Sequence, residues 1–238
     1  YKQQNRPTYY TFEQSGPFGG ELNREWWFYN PVPVPNSYNT KPSVMLLHGY
    51  GGDPYYYFVQ PDTSQNDAWQ LDTGAIGNSA PEVPGIHNWG NPYFMYIMPK
   101  AMMNNAGTGT CWYISGWNIL WQAVYDDIGF LRSIRQQCSD VNTTTCSVMG
   151  ISNGAFMASE LCVRHYDEFN ALCCIIGLMQ TGLTDTSNFP IPNNVKIPAM
   201  IIFGMSDQII HPGGTQIDIL PYLTRPYVSN GYESVDEW

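Results

Sequence analysis

The sequence predicts an α/β protein, with a doubly wound, mostly parallel sheet flanked by helices. Three observations carry this. Short apolar runs of strand length recur at 43–48, 93–99, 171–177 and 199–204. Helical patterns fall between several of them. At 238 residues and 43% hydrophobic, the chain is long enough for one well-cored domain and not clearly for two. A single domain over 1–238 is therefore expected, with residues 1–23, polar and rich in Gly and Pro, as an N-terminal segment wrapped on its surface.

In chain order, residues 25–30 read as an early strand that the prolines at 31, 33 and 35 bring to an end. Residues 43–48 form a continuous apolar run, the pattern of a strand buried on both faces. Residues 53–92 are weakly patterned, with a helix expected somewhere in 55–72. A strand over 93–99 stops at proline, and 101–117 reads as a loop holding Cys111 and Trp112. Residues 119–137 read as an amphipathic helix, with Ile119, Val124, Ile128, Leu131 and Ile134 near the 3–4 spacing. Asp126 and Asp127, adjacent on that helix, point apart and read as a cap or a solvated face. Buried strands follow at 171–177 and 199–204, separated by a polar loop over 180–197.

The organising stretch is Cys146 to Met157. Ser147, Val148 and Met149 read as a buried strand, Gly150-Ile151-Ser152-Asn153-Gly154 as a sharp turn, and Ala155 onward as a helix running to about His165. Gly-x-Ser-x-Gly at a strand-to-helix junction is the nucleophile elbow of an α/β-hydrolase. The serine must stand on a tight turn with its hydroxyl above the sheet. The two glycines mark where a side chain would strike the neighbouring strand and helix. The helix start beneath Ser152 favours developing negative charge.

A second motif completes an acyl-transfer site. His48-Gly49-Tyr50-Gly51-Gly52 leaves a buried strand, and its glycines let backbone N–H groups face a reacting carbonyl. The N–H groups of Tyr50 and Asn153 are the expected oxyanion donors. Asp207 follows a buried strand and lies after the serine in chain order, where a carboxylate would orient a histidine. Of four histidines, His211 alone follows Asp207, only four residues on. His165 reads as a partner of the elbow helix's C-terminal dipole. His48, Trp112 and His211 are candidates for the pocket lining, as are Trp117 and the run Tyr55-Tyr56-Tyr57.

A net charge of −10 argues against nucleic acid or an anionic membrane as partner. No apolar run reaches the length of a membrane span. Charged residues make up 13%, half the usual share, and aromatics 15%. Such a surface suits an extracellular protein that handles neutral or aromatic material. Six cysteines and the sequon at Asn142 are compatible with export. Cys111 and Cys138 are the better disulfide candidates; Cys146, Cys162, Cys173 and Cys174 fall in apolar contexts that suit buried free thiols. No cysteine or histidine spacing suggests a metal, and no cofactor is expected.

Taken together, these motifs resemble the secreted polyhydroxybutyrate depolymerase and feruloyl esterase-like α/β-hydrolases. The matching residues are Leu46 to Gly52, Cys111-Trp112, Asp126 to Leu131, Gly150 to Gly154, Phe203 to Asp207, Gly213-Gly214 and Ser234 to Trp238. That family usually has a second glycine after the elbow, where this chain has Ala155. The resemblance implies an extracellular serine esterase acting on polyesters or phenolic esters, with Ser152 as nucleophile and Asp207 as orienting acid. It also implies a histidine base well beyond the aspartate, so the C-terminal end of the domain is expected to lie beyond residue 238. The alternative is a catalytically inactive hydrolase-fold module with an extracellular binding or structural role.

Overall fold

A computed structural model of the chain describes residues 8–16, 20–29, 42–54, 94–114, 125–139, 145–177, 196–204, 215–216 and 227–228. Seven strands form one sheet: β1 (Thr8–Ser15), β2 (Glu21–Tyr29), β3 (Ser43–Leu47), β4 (Met95–Pro99), β5 (Cys146–Ile151), β6 (Ala171–Ile175) and β7 (Ala199–Ile202). Their spatial order is β1-β2-β4-β3-β5-β6-β7. The pairs β1/β2 and β2/β4 are antiparallel, and the pairs from β4 through β7 are parallel. Two helices, α1 (Asp127–Ser139) and α2 (Asn153–Arg164), are the long ones among the described residues, and β8 (Thr215–Gln216) pairs with β9 (Tyr227–Val228). This is the expected α/β class.

The order places the site before any side chain is considered. From β3 the chain goes to β4 on one side, while from β5 it goes to β6 on the other. Ligands of open parallel sheets bind in the crevice at such a reversal, outside the carboxyl ends of the strands. Here those ends carry the two glycine-rich loops, His48 to Gly52 and Gly150 to Gly154.

Most of the apolar runs become strands because alternate residues find cover on opposite faces; β7, expected to be buried, is instead largely exposed at the end of the described sheet, with Met200 59% and Ile202 46% exposed. Met45, Leu47, Val148, Leu172 and Cys174 join α1 and α2 in one cluster. Leu46, Tyr96, Met98, Trp27 and Tyr29 form a second. Burial takes in all of α2 except Arg164, so Met157, Ala158, Leu161 and Cys162 point inward as expected.

The N-terminal segment departs from the expected surface wrap. Residues 8–15 form the edge strand β1, in a hairpin with β2. Thr, Tyr and Phe favour a pleated surface, and the register pairs Tyr9 with Trp27 and Tyr10 with Trp26. The second pair stacks at 4.6 Å, the first meets edge-on at 5.2 Å. Such cross-strand aromatic pairs outweigh the polar residues around them.

Helix α1 also starts later than its periodicity suggests. Asp126 caps it: its carboxylate accepts the N–H of Gly129 at 2.7 Å and its carbonyl that of Phe130 at 3.0 Å. Ile119 and Val124 lie outside the described residues. Asp127, expected as cap or solvated face, is fully enclosed instead. Arg24 of β2, itself fully buried, donates to it at 2.5 Å. The same carboxylate accepts the N–H of Tyr113 at 2.6 Å, while the Arg24 guanidinium lies 4.0 Å from the centre of the Phe130 ring and donates to Gln14 at 3.0 Å. One ion pair thus joins β1, β2, α1 and the segment before it.

All six cysteines are free thiols, so the bridge expected of Cys111 or Cys138 is not formed. Burial pushes both thiols up to about 12. Such groups pack as small apolar side chains and react slowly.

Two outcomes follow. Ellman titration of the native protein at pH 8 will detect no more than the half-buried Cys173, and titration in guanidinium will detect six thiols; fewer in guanidinium would mean a disulfide. Removing one partner of the buried pair, by Arg24→Met or Asp127→Ala, will cost about 3–5 kcal/mol in urea unfolding, because it strands the other charge.

Candidate functional site

Ser152 sits at the step between β5 and α2 with φ 52° and ψ −120°, a conformation that side chains rarely adopt. Three hydrogen bonds hold it there. Its N–H donates to the Ile175 carbonyl at 2.8 Å, and its own carbonyl accepts from Ala155 and Phe156 at 2.8 and 3.3 Å. The flanking glycines are steric necessities. A Cβ on Gly150 would lie 2.1 Å from the Gly154 carbonyl oxygen, and one on Gly154 would lie 2.3 and 2.5 Å from those of Leu47 and His48. Ala155, where the resembled family has glycine, is fully buried, and Gly177 opposite leaves room for its methyl group.

The loop after β3 reaches the serine. A side chain leaving Gly49 would meet Ser152 Cβ at 3.4 Å and Oγ at 4.0 Å. Among the described residues, the N–H groups of Tyr50 and Asn153 have no acceptor. The N–H of Asn153 belongs to the first turn of α2, where intrahelical acceptors do not exist. Ser152 is thus partly exposed, with the glycine loop after β3 packed against it.

Two residues expected in the pocket lining are instead enclosed beneath it. His48 is fully buried: Ala101 N–H donates to its Nε2 at 3.0 Å, so Nδ1 carries the proton and donates to the Gly49 carbonyl at 2.7 Å. Burial lowers its pKa to about 4, and the bond to Gly49 only partly opposes this. The ring is therefore a neutral strut that shapes the loop. Trp112 is also fully buried, with its indole N–H donating to the His48 carbonyl at 2.9 Å.

The sequence did not disclose the second task of Asn153. Its side chain accepts from Trp112 N–H at 2.8 Å and donates to Trp112 carbonyl at 3.3 Å. This ties the elbow to the loop after β4. No local pattern marks such a pairing across forty residues.

Asp207, His211, Asn142, Trp117 and the run Tyr55 to Tyr57 lie outside the described residues. His165 is the C-cap of α2, and its backbone N–H donates to Leu161 carbonyl at 2.9 Å. Burial, with Arg132 nearby, lowers its pKa; Arg164 also supplies positive charge in that turn. His165, Asp167 and Glu168 have ligand atoms within 4.8 Å of one another. Arg132 and Arg135 already engage Glu168, which disfavours a cation there. A cavity of about 520 Å³ lies on the sheet face away from α2, lined by Val44, Leu46, Phe94, Tyr96 and Met149 among others; Ser152 is not part of it. Among the described residues no helix is long and apolar enough to cross a membrane.

The sheet order, the reversal at β3 and β5 and the strained serine between strand and helix define an α/β-hydrolase fold. No protein-family model matches the chain, and no curated protein does. Among solved structures it is similar to a thermostable esterase (14% identity, TM-score 0.47, covering 85% of this chain and 48% of that one). It is also similar to a ferulic acid esterase (14%, 0.46, 82% and 63%) and to a lipase in its open form (16%, 0.42, 73% and 46%). The chain thus spans about half to under two thirds of the length of these proteins. The fold assignment rests on this chain's own topology and elbow.

The strut role of His48 has a pH signature. Above pH 6.5 the ring is neutral in folded and unfolded chains alike, and its contribution is complete. As pH falls toward 4, the unfolded chain takes up a proton that the folded chain resists, and stability is lost. The gap between wild type and His48→Gln in urea unfolding will narrow between pH 7 and pH 4 by up to about 3 kcal/mol. A gap independent of pH would show that the ring is not held neutral.

Proposed function

We propose that this protein is a serine hydrolase acting on carboxylic esters. Ser152 Oγ attacks the ester carbonyl, the N–H groups of Tyr50 and Asn153 receive the oxyanion, and the alcohol leaves to give an acyl-enzyme that water then cleaves. Asp207 orients the histidine that takes and returns the proton. Within this sequence His211 is the histidine that follows Asp207.

The observation that carries this reading is the backbone of Ser152. A non-glycine residue at φ 52° and ψ −120° is costly, by roughly 1–3 kcal/mol. Here two glycines and a bond to β6 maintain it, with its hydroxyl beside Gly49. Such strain accompanies a nucleophile that must project from a crest. Polyesters or phenolic esters are the proposed substrates, supported by the motifs shared with the depolymerase and feruloyl esterase-like family. An extracellular location is proposed on the sequon at Asn142 and the charge-poor, aromatic-rich composition.

A fluorophosphonate probe will label the full-length protein at Ser152, and Ser152→Ala will abolish labelling. It will also lower kcat on a p-nitrophenyl ester by about 10⁴–10⁶-fold. A folded wild type that neither labels nor hydrolyses any ester would leave the inactive-module reading in its place.

A further inference from the structure

The segment between β4 and α1 does more than connect them. Residues 102–111 close into a small ribbon. Met103 and Thr110 bridge in antiparallel fashion, Cys111 N–H donates to Met102 carbonyl at 2.8 Å, and Asn104 N–H donates to Gly109 carbonyl at 2.9 Å. This ribbon grips the loop after β3 at several points. Gly51 N–H donates to Thr110 carbonyl at 2.8 Å, and the Thr110 hydroxyl donates to Gly52 carbonyl at 2.5 Å. Just before the ribbon, Lys100 pairs with Asp53 at 2.7 Å.

The most specific contact is at Tyr50. Its ring is 45% exposed, yet its hydroxyl is fixed: Asn104 Nδ2 donates to it at 3.0 Å, and Thr108 Oγ1 lies 2.7 Å away. Asn104 is 4% exposed and its amide is fully used. Nδ2 also donates to Thr108 Oγ1 at 2.9 Å, and Oδ1 accepts Thr108 N–H at 2.9 Å. Gly109 lies against the ring, since a Cβ there would be 3.2 Å from Tyr50 Cε1. A half-exposed tyrosine with an otherwise free ring would sample several rotamers. This one is held at its far end by a buried amide. The other end of the same segment holds Asn153 through the paired bonds to Trp112. One continuous piece of chain therefore touches both residues whose N–H groups are uncommitted.

We propose that residues 102–112 brace the oxyanion hole, and that Asn104 is a positioning residue that fixes the Tyr50 N–H relative to that of Asn153 by anchoring the phenol. The proposal rests on the serine-hydrolase reading above. Asn104 touches no substrate. It acts through Tyr50, so its loss lowers the rate of adduct formation and leaves ground-state binding nearly unchanged.

The test uses full-length wild type, Asn104→Ala, Tyr50→Phe and the double variant, each shown folded by circular dichroism. Fluorophosphonate labelling is measured against probe concentration, giving a maximal rate and a half-saturation value. Amide exchange is followed in the peptide covering 49–53. Each single variant is expected to lower the maximal rate about ten- to a hundredfold, with half-saturation within about twofold. The losses are expected to combine less than multiplicatively in the double variant, because both substitutions remove the bond between Asn104 and the Tyr50 phenol. Exchange at 49–53 will quicken in all three. Tyr50→Phe removes only a hydroxyl and keeps the test open if Asn104→Ala does not fold. Wild-type rates in the single variants, losses that multiply in the double variant, or an effect confined to half-saturation would overturn the brace. A wild type that does not label would instead overturn the hydrolase reading, and the exchange at 49–53 would still decide whether Asn104 holds the loop.

Discussion

The architecture of the site depends on how closely α2 approaches the end of β3. With Gly154 so near the carbonyl oxygens of Leu47 and His48, no side chain fits between helix and strand. That closeness sets the height of Ser152 above the sheet and brings the loop beginning at Gly49 alongside it. Were α2 withdrawn to admit a methyl group, the serine and the loop would separate. The sheet topology selects the place, because the connections diverge between β3 and β5. The missing side chains set the distance.

Polar groups then hold what the glycines permit. His48, neutral and enclosed, receives one backbone N–H and supplies another bond, so the loop bends without leaving a buried donor unpaired. The Arg24–Asp127 pair works on a larger scale. It fastens the N-terminal hairpin to α1, and through Tyr113 to the segment that carries Trp112. A buried ion pair of this kind gives little net stability compared with apolar packing. It adds a polar tie to the aromatic contact of Phe12 with Phe130 between hairpin and helix.

Much of this was legible in the residues themselves. Strands β3, β4, β6 and β7 are short apolar runs, and β5 leads into a local glycine spacing around a serine, so both could be read from neighbours in the chain. The departures share a cause. Strand β1 depends on aromatic partners across the hairpin, the burial of Asp127 on an arginine about a hundred residues away, and the enclosure of His48 and Trp112 on each other. None of these is encoded in a window of sequence. Asn104 is the clearest case: an asparagine in a polar loop reads as turn chemistry, and only the fold brings the Tyr50 phenol to it.

The reduced state of all six cysteines bears on how the molecule can be made. No sulfur–sulfur bond joins any two of them, so the packing of the described core does not depend on a cross-link. Production in a reducing bacterial cytoplasm is compatible with the architecture described, whatever compartment the protein occupies in its own cell.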